Sequence, residues 1–85
     1  MTIRTWYSAG MTVSWSAVAG ELRRRRLRAR MTQAALAKAA RTTPNTVAMC
    51  ERGERRPSID LLGRLARALG CRVRDLLKEN GRGKR

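Results

Sequence analysis

Histidine is absent from this sequence, and acidic residues are scarce, with six Asp and Glu against 20 Lys and Arg. Without an imidazole, the commonest general base near neutral pH is missing. The six carboxylates (Glu21, Glu51, Glu54, Asp60, Asp75 and Glu79) are scattered and mostly sit beside arginines. Glu51 and Glu54 are close together, but Gly53 intervenes and no nucleophile accompanies them. No catalytic constellation emerges, so the chain reads as a non-enzyme that needs no cofactor. Metal ligands are equally short. Structural zinc takes four Cys or His at recognisable spacing, whereas only Cys50 and Cys71 are present. Both fall at apolar positions of helical patterns, where a reduced thiol acts as a small hydrophobe.

Long apolar runs are also missing. None approaches the roughly 20 residues that span a bilayer. The first twenty residues have neither the basic start nor the continuous apolar stretch of a secretory signal. The expected compartment is therefore the cytoplasm, with no membrane role.

What the chain does have is positive charge, a net +14 on 85 residues. That length allows one domain with one modest core. Self-repulsion of this size strains a compact fold, and it points to a polyanionic partner. Nucleic acid and an anionic membrane surface both meet that description; acidic proteins meet it less well.

The residues divide into three stretches. Residues 1–15 are rich in Thr and Ser and hold all three aromatics, Trp6, Tyr7 and Trp15. Residues 16–79 read as a run of helices, and residues 80–85 as a basic, disordered tail. In the first stretch Met11, Val13, Trp15 and Ala17 alternate with Thr12, Ser14 and Ser16, a strand-like period of two. A turn at Ala9-Gly10 would make a hairpin with Trp6, Met11, Val13 and Trp15 on one face. A lone hairpin is marginal in water, so a hairpin packed on the helices and a flexible extension both remain open.

The helical stretch carries clear start and stop signals. Ser16 is a suitable N-cap for a first helix running to about residue 29, with Val18 and Leu22 on one face. Arg23, Arg24, Arg25, Arg26, Arg28 and Arg30 crowd its far half and surround it, so at least one arginine must turn inward and find a partner. Thr32 caps a second, alanine-rich helix carrying Ala35, Leu36, Ala39 and Ala40. Thr43-Pro44 opens a third, with Pro at the first helical position, where its missing N–H costs nothing. Only Arg41 and Thr42 separate these two helices, which describes a helix-turn-helix over residues 32–52. Gly53 ends the third helix. A fourth follows Pro57-Ser58, with Ile59, Leu62, Leu65, Ala66 and Leu69 in register up to Gly70, a natural C-cap glycine. Val73, Leu76 and Leu77 make a short last helix.

Thr32-Gln33-Ala34-Ala35-Leu36-Ala37, Thr46-Val47, Glu51-Arg52-Gly53, Pro57-Ser58 and Leu65-Ala66-Arg67-Ala68-Leu69-Gly70 together resemble the phage-repressor and Cro (Xre-type) helix-turn-helix family. The likeness covers residues 18–77. It implies an all-α, compact five-helix repressor-like DNA-binding domain, here with a short N-terminal extension that is a possible β-hairpin or strand. It also implies that the third helix enters the major groove, that Gln33 contacts a phosphate, and that Arg26 pairs with Glu51. Thr43, Arg52, Arg55 and Arg56 stand where the family touches the DNA backbone. Periodicity turns Val47 and Cys50 inward and leaves Pro44, Asn45, Ala48 and Met49 toward the groove. Asn can bond adenine in a bidentate fashion, and Pro and Met can meet a thymine methyl. Three positions depart from the family pattern. Arg30 and Arg41 stand where glycine is usual, and Ala40 replaces a larger apolar residue. A shifted turn at Arg41 and a looser core are expected from these changes.

The leading expectation is a sequence-specific transcriptional regulator, a repressor that binds a pseudo-palindromic operator in double-stranded DNA as a homodimer. Either the last helix or the aromatic N-terminal segment could form the dimer surface. The alternative is an antitoxin-type interaction protein that binds a toxin partner as well as DNA. A third reading, a basic amphipathic protein acting on membranes or on nucleic acid nonspecifically, would make the ordered caps and motif spacing a coincidence.

Overall fold

The computed structural model describes residues 14–77, and helices are the only regular elements among them. In chain order they are α1 (Trp15–Arg28), α2 (Gln33–Ala39), α3 (Pro44–Glu51), α4 (Ile59–Leu69) and α5 (Val73–Leu77). The domain is all-α. The hairpin about Ala9-Gly10 and the basic tail of residues 80–85 fall outside the described residues.

Four helices begin in the same way. Ser14, Thr32, Thr43 and Ser58 hold extended backbone, and each side-chain oxygen accepts from the N–H three residues on, at 3.2, 2.9, 3.1 and 3.0 Å. Caps of this kind are worth about 1 kcal/mol each. The first corrects an expectation. Ser14 rather than Ser16 caps α1, so Trp15 and Ala17, which the period-two pattern assigned to a strand, are helical. An available hydroxyl at Ser14 satisfies Ala17 N–H and lets the helix nucleate earlier.

Their ends are uniform too. At Arg30, Arg41, Gly53 and Gly70 the backbone turns left-handed, with φ of 61, 59, 77 and 76°. At each, its N–H bonds to the carbonyl three residues back, and the next N–H reaches five back, as in Thr42 N to Ala37 O at 2.8 Å and Glu54 N to Met49 O at 2.9 Å. This is the Schellman closure, which satisfies carbonyls the helix leaves unpaired. Glycine adopts that conformation freely, whereas an L-residue bears about 1–2 kcal/mol of strain. At Arg41 the α2–α3 turn takes the left-handed conformation despite the side chain, and the closing hydrogen bonds hold it there.

Leu22, Leu36, Val47, Leu62, Leu65 and Leu76 form the fully buried centre, joined by smaller residues including Ala37, Ala40 and Cys50. α2 packs on α3 and α4, α1 on α3 and α5, and α5 closes against α4. Two stripes differ from the sequence reading. In α2 the buried face is Leu36, Ala37 and Ala40, while Ala35 and Ala39 are exposed. Alanine is indifferent to burial, so an alanine-rich helix carries little information about its inner face. In α4, Leu61 is buried and Ile59 is 44% exposed, since the first turn overhangs the core. Ala40, the C-cap of α2, is fully buried among larger residues of the core. Burial pushes the Cys50 and Cys71 thiols up from their usual range, which disfavours the thiolate at both.

Candidate nucleic-acid interface

The face of α3 is set by two inward residues. Val47 and Cys50 are buried, so the opposite side carries exposed Pro44 and Asn45 with half-buried Ala48 and Met49. Asn45 Nδ2 lies 3.5 Å from Met49 Sδ, one turn on, which orients the amide along the helix surface. The Thr43 hydroxyl is occupied within the cap, since it accepts from Thr46 N–H and donates to Thr46 Oγ1 at 2.9 Å. The Thr43 carbonyl accepts from Val47 N–H at 3.1 Å, so only its backbone N–H is left without a partner among the described residues.

Glu51, the last residue of α3, ties the helix to the rest of the domain. Arg26 donates to it twice, Nε to Oε2 at 2.6 Å and Nη2 to Oε1 at 3.0 Å, with the two side chains 9% and 3% exposed. The remaining Arg26 nitrogen, Nη1, donates to Met31 O at 2.8 Å. Gln33 Nε2 donates to Glu51 Oε1 at 3.1 Å, which fixes the amide at the start of α2 and leaves its second N–H available. The carboxylate hydrogen bonds raise the already high Arg26 pKa further, so the guanidinium stays charged. Net stability from such a pair is small against the desolvation it requires; what it fixes is the angle of α3 against α1 and α2.

Beyond α3 stand three arginines with different surroundings. Arg52 is held by Glu54 through two hydrogen bonds of 2.9 and 3.0 Å, both side chains being more than half exposed. Arg55 makes no hydrogen bond or ion pair among the described residues. Arg56 lies over the Trp15 ring, 5.5 Å from its centroid, a cation–π contact that limits where the guanidinium can swing. Glu54 holds two of the Arg52 donors, on Nε and Nη2, and its charge offsets that of the guanidinium. Glu54→Gln is therefore expected to tighten DNA binding about threefold at low salt, the gain fading as salt rises. A titration of the variant beside the parent chain checks this, and weaker binding would show that Glu54 orients Arg52 instead of masking it.

Sequence reading missed two residues. Arg64 of α4 donates from Nη1 to Ala40 O at 3.1 Å and Arg41 O at 2.9 Å, and its Nη2 pairs with Asp60 at 3.0 Å. A cation thus sits on the negative C-terminal end of α2 and braces the strained turn before α3. The Asp60–Arg64 spacing was a local hint, but the carbonyls it reaches are more than twenty residues away in sequence. Trp15 is the other: only the fold brings it to Arg56.

A helix-turn-helix family model matches residues 22–76, well over half the chain. The chain belongs to the phage-repressor (Xre) type of helix-turn-helix regulators. Among solved structures, this helix-turn-helix protein is similar to the clp gene regulator ClgR of Corynebacterium glutamicum, at 35% identity and TM-score 0.71 over 74% of this chain and 67% of that one. It is similar to the P22 c2 repressor solved with a synthetic operator, at 33% identity and TM-score 0.69 over 72% and 92%. The same helices also align with part of the hydroxypropylphosphonic acid epoxidase of S. wedmorenis, at 36% identity and TM-score 0.69 over 76% of this chain. That match covers only 35% of the epoxidase. No curated protein sequence matches significantly. Among the described residues no cluster of His, Cys, Asp and Glu could hold a metal, and no helix is long and apolar enough to cross a membrane.

Proposed function

We propose that this helix-turn-helix protein is a sequence-specific transcriptional repressor that binds a pseudo-palindromic operator as a homodimer. The observation that carries the reading is the asymmetry of α3. One side is locked to the body through Glu51, Val47 and Cys50, and the other offers Pro44, Asn45, Ala48 and Met49 to solvent. A helix anchored this way enters a groove as a rigid body. Asn45 reads adenine, Pro44 and Met49 contact thymine methyls, and Ala48 permits close approach. Gln33, the Thr43 backbone, Arg52, Arg55 and Arg56 hold phosphates and set the register. One short helix gives little discrimination alone, which favours two copies on half-sites about 34 Å apart or a multiple of it.

Fluorescence anisotropy with the chain's own upstream DNA and a scrambled duplex, across a salt series, tests this. Specific recognition requires a preference of at least ~10³-fold at physiological salt. Equal binding to both, fading steeply with salt, would leave only the +14 charge as the source of affinity. Asn45→Ala is expected to cost about 1–3 kcal/mol at one base pair and to relax discrimination there. A uniform loss on all duplexes would assign Asn45 to the backbone contacts instead.

A further inference from the structure

Four helices close through the same left-handed turn, yet only two of them use glycine for it. Gly53 and Gly70 end α3 and α4, whereas α1 and α2 end at Arg30 and Arg41 with φ of 61 and 59°. Glycine would fill those positions without strain. Strained backbone persists mainly where the side chain it places is used. Here both side chains are exposed and make no hydrogen bond or ion pair among the described residues, so neither repays the strain within the fold.

Their placement suggests the use. The Arg26 guanidinium bonds Met31 O and the Glu51 carboxylate together, so the turn after α1 lies against the C-terminal end of α3. Arg30 immediately precedes Met31 and so stands at that end. Arg41 lies two residues before Thr43, the cap of α3, and its own carbonyl is clamped by Arg64. The two turns adjoin opposite ends of α3, Arg30 near its C-terminal end and Arg41 near its cap. Guanidinium groups are suited to bidentate contact with phosphate oxygens.

We propose that Arg30 and Arg41 are additional phosphate anchors for the DNA backbone on either side of α3, the strain at each being retained because glycine could not carry a guanidinium there. The inference rests on the DNA-binding reading and adds two contacts to it. The test combines thermal melts with anisotropy salt series for Arg30→Gly, Arg41→Gly and the corresponding Lys variants, on the upstream and scrambled duplexes. Each Gly variant is expected to melt about 4 °C higher as strain is released. It is also expected to bind both duplexes about three- to tenfold more weakly, with a salt slope shallower by about 0.9. The Lys variants keep the slope. Opposite signs for stability and binding are what a purely structural role cannot produce. Gly variants with the parent slope and affinity would overturn the proposal. Failure of the operator reading is seen separately, as equal affinity of the parent chain for the two duplexes, and the slopes are still read on the scrambled one. Arg30→Asn and Arg41→Asn, which tolerate the left-handed region, repeat the test if a Gly variant proves unstable.

Discussion

Glu51→Ala is expected to lower folding stability by about 3–5 kcal/mol, because it leaves the Arg26 charge buried without a partner. Small domains hold only about 5–15 kcal/mol in total, so the variant should be partly unfolded near body temperature. The damage goes beyond one ion pair. Glu51 accepts from both α1 and the first residue of α2, and Arg26 would be left with only the Met31 carbonyl. Replacing both partners with apolar residues, Arg26→Met with Glu51→Leu, should restore most of the stability, since neither charge then remains to be desolvated. Specific DNA binding should stay impaired in that double variant, because Gln33 has lost its acceptor and α3 its angular constraint. Urea unfolding followed by circular dichroism, with anisotropy on the folded fraction, separates the two effects. A loss below about 1 kcal/mol for Glu51→Ala would place the pair with solvent-screened surface bridges.

Leu36→Ala should be comparably severe, at about 2–5 kcal/mol. α2 has seven residues, and Leu36 is its one large buried side chain; Ala37 and the capping Ala40 add little area. Removing it opens a cavity between α2, α3 and α4 that alanines cannot fill. Amide exchange should rise first in α2 and α3, with α4 and α5 still protected. Leu36→Met, which nearly conserves volume, should cost less than about 1.5 kcal/mol. A uniform loss of protection across all helices would mean the domain opens only as a whole.

These two sites bear on function because they set how firmly α3 is held, while its outer face has few strong readers. Asn45 is the one side chain there with a bidentate pattern for a base, and neither Arg nor Gln accompanies it. On the proposed function, affinity would come mostly from the backbone cations, with a steep salt dependence expected and a premium on rigid presentation of α3. Glu54 would act against that affinity by holding Arg52. Screening of the pair by salt and competition from phosphate act on the same two donors.

Local signals were legible in the chain itself. Thr32, Thr43 and Ser58 mark helix starts because their hydroxyls need only a neighbouring N–H, and Gly53 and Gly70 mark ends because only nearby backbone is involved. The inward pair Val47 and Cys50 followed from a spacing of three residues. The run from Arg23 to Arg28 likewise required an inward arginine, since it surrounds the helix. Choices between similar local options were not legible in the same way. Ser14 and Ser16 are equally good caps, alanine is at ease on either face of α2, and Ile59 and Leu61 are equally apolar. Sequence alone therefore determined which segments are helical and in what order, their polarity, and the demand for an anionic partner. The tertiary structure decided which face of α2 is buried, that Arg64 braces the Arg41 turn, and that Trp15 meets Arg56. The physical reason is range: caps and turns are closed by groups within five residues, whereas these contacts join segments whose approach is set by filling one shared core.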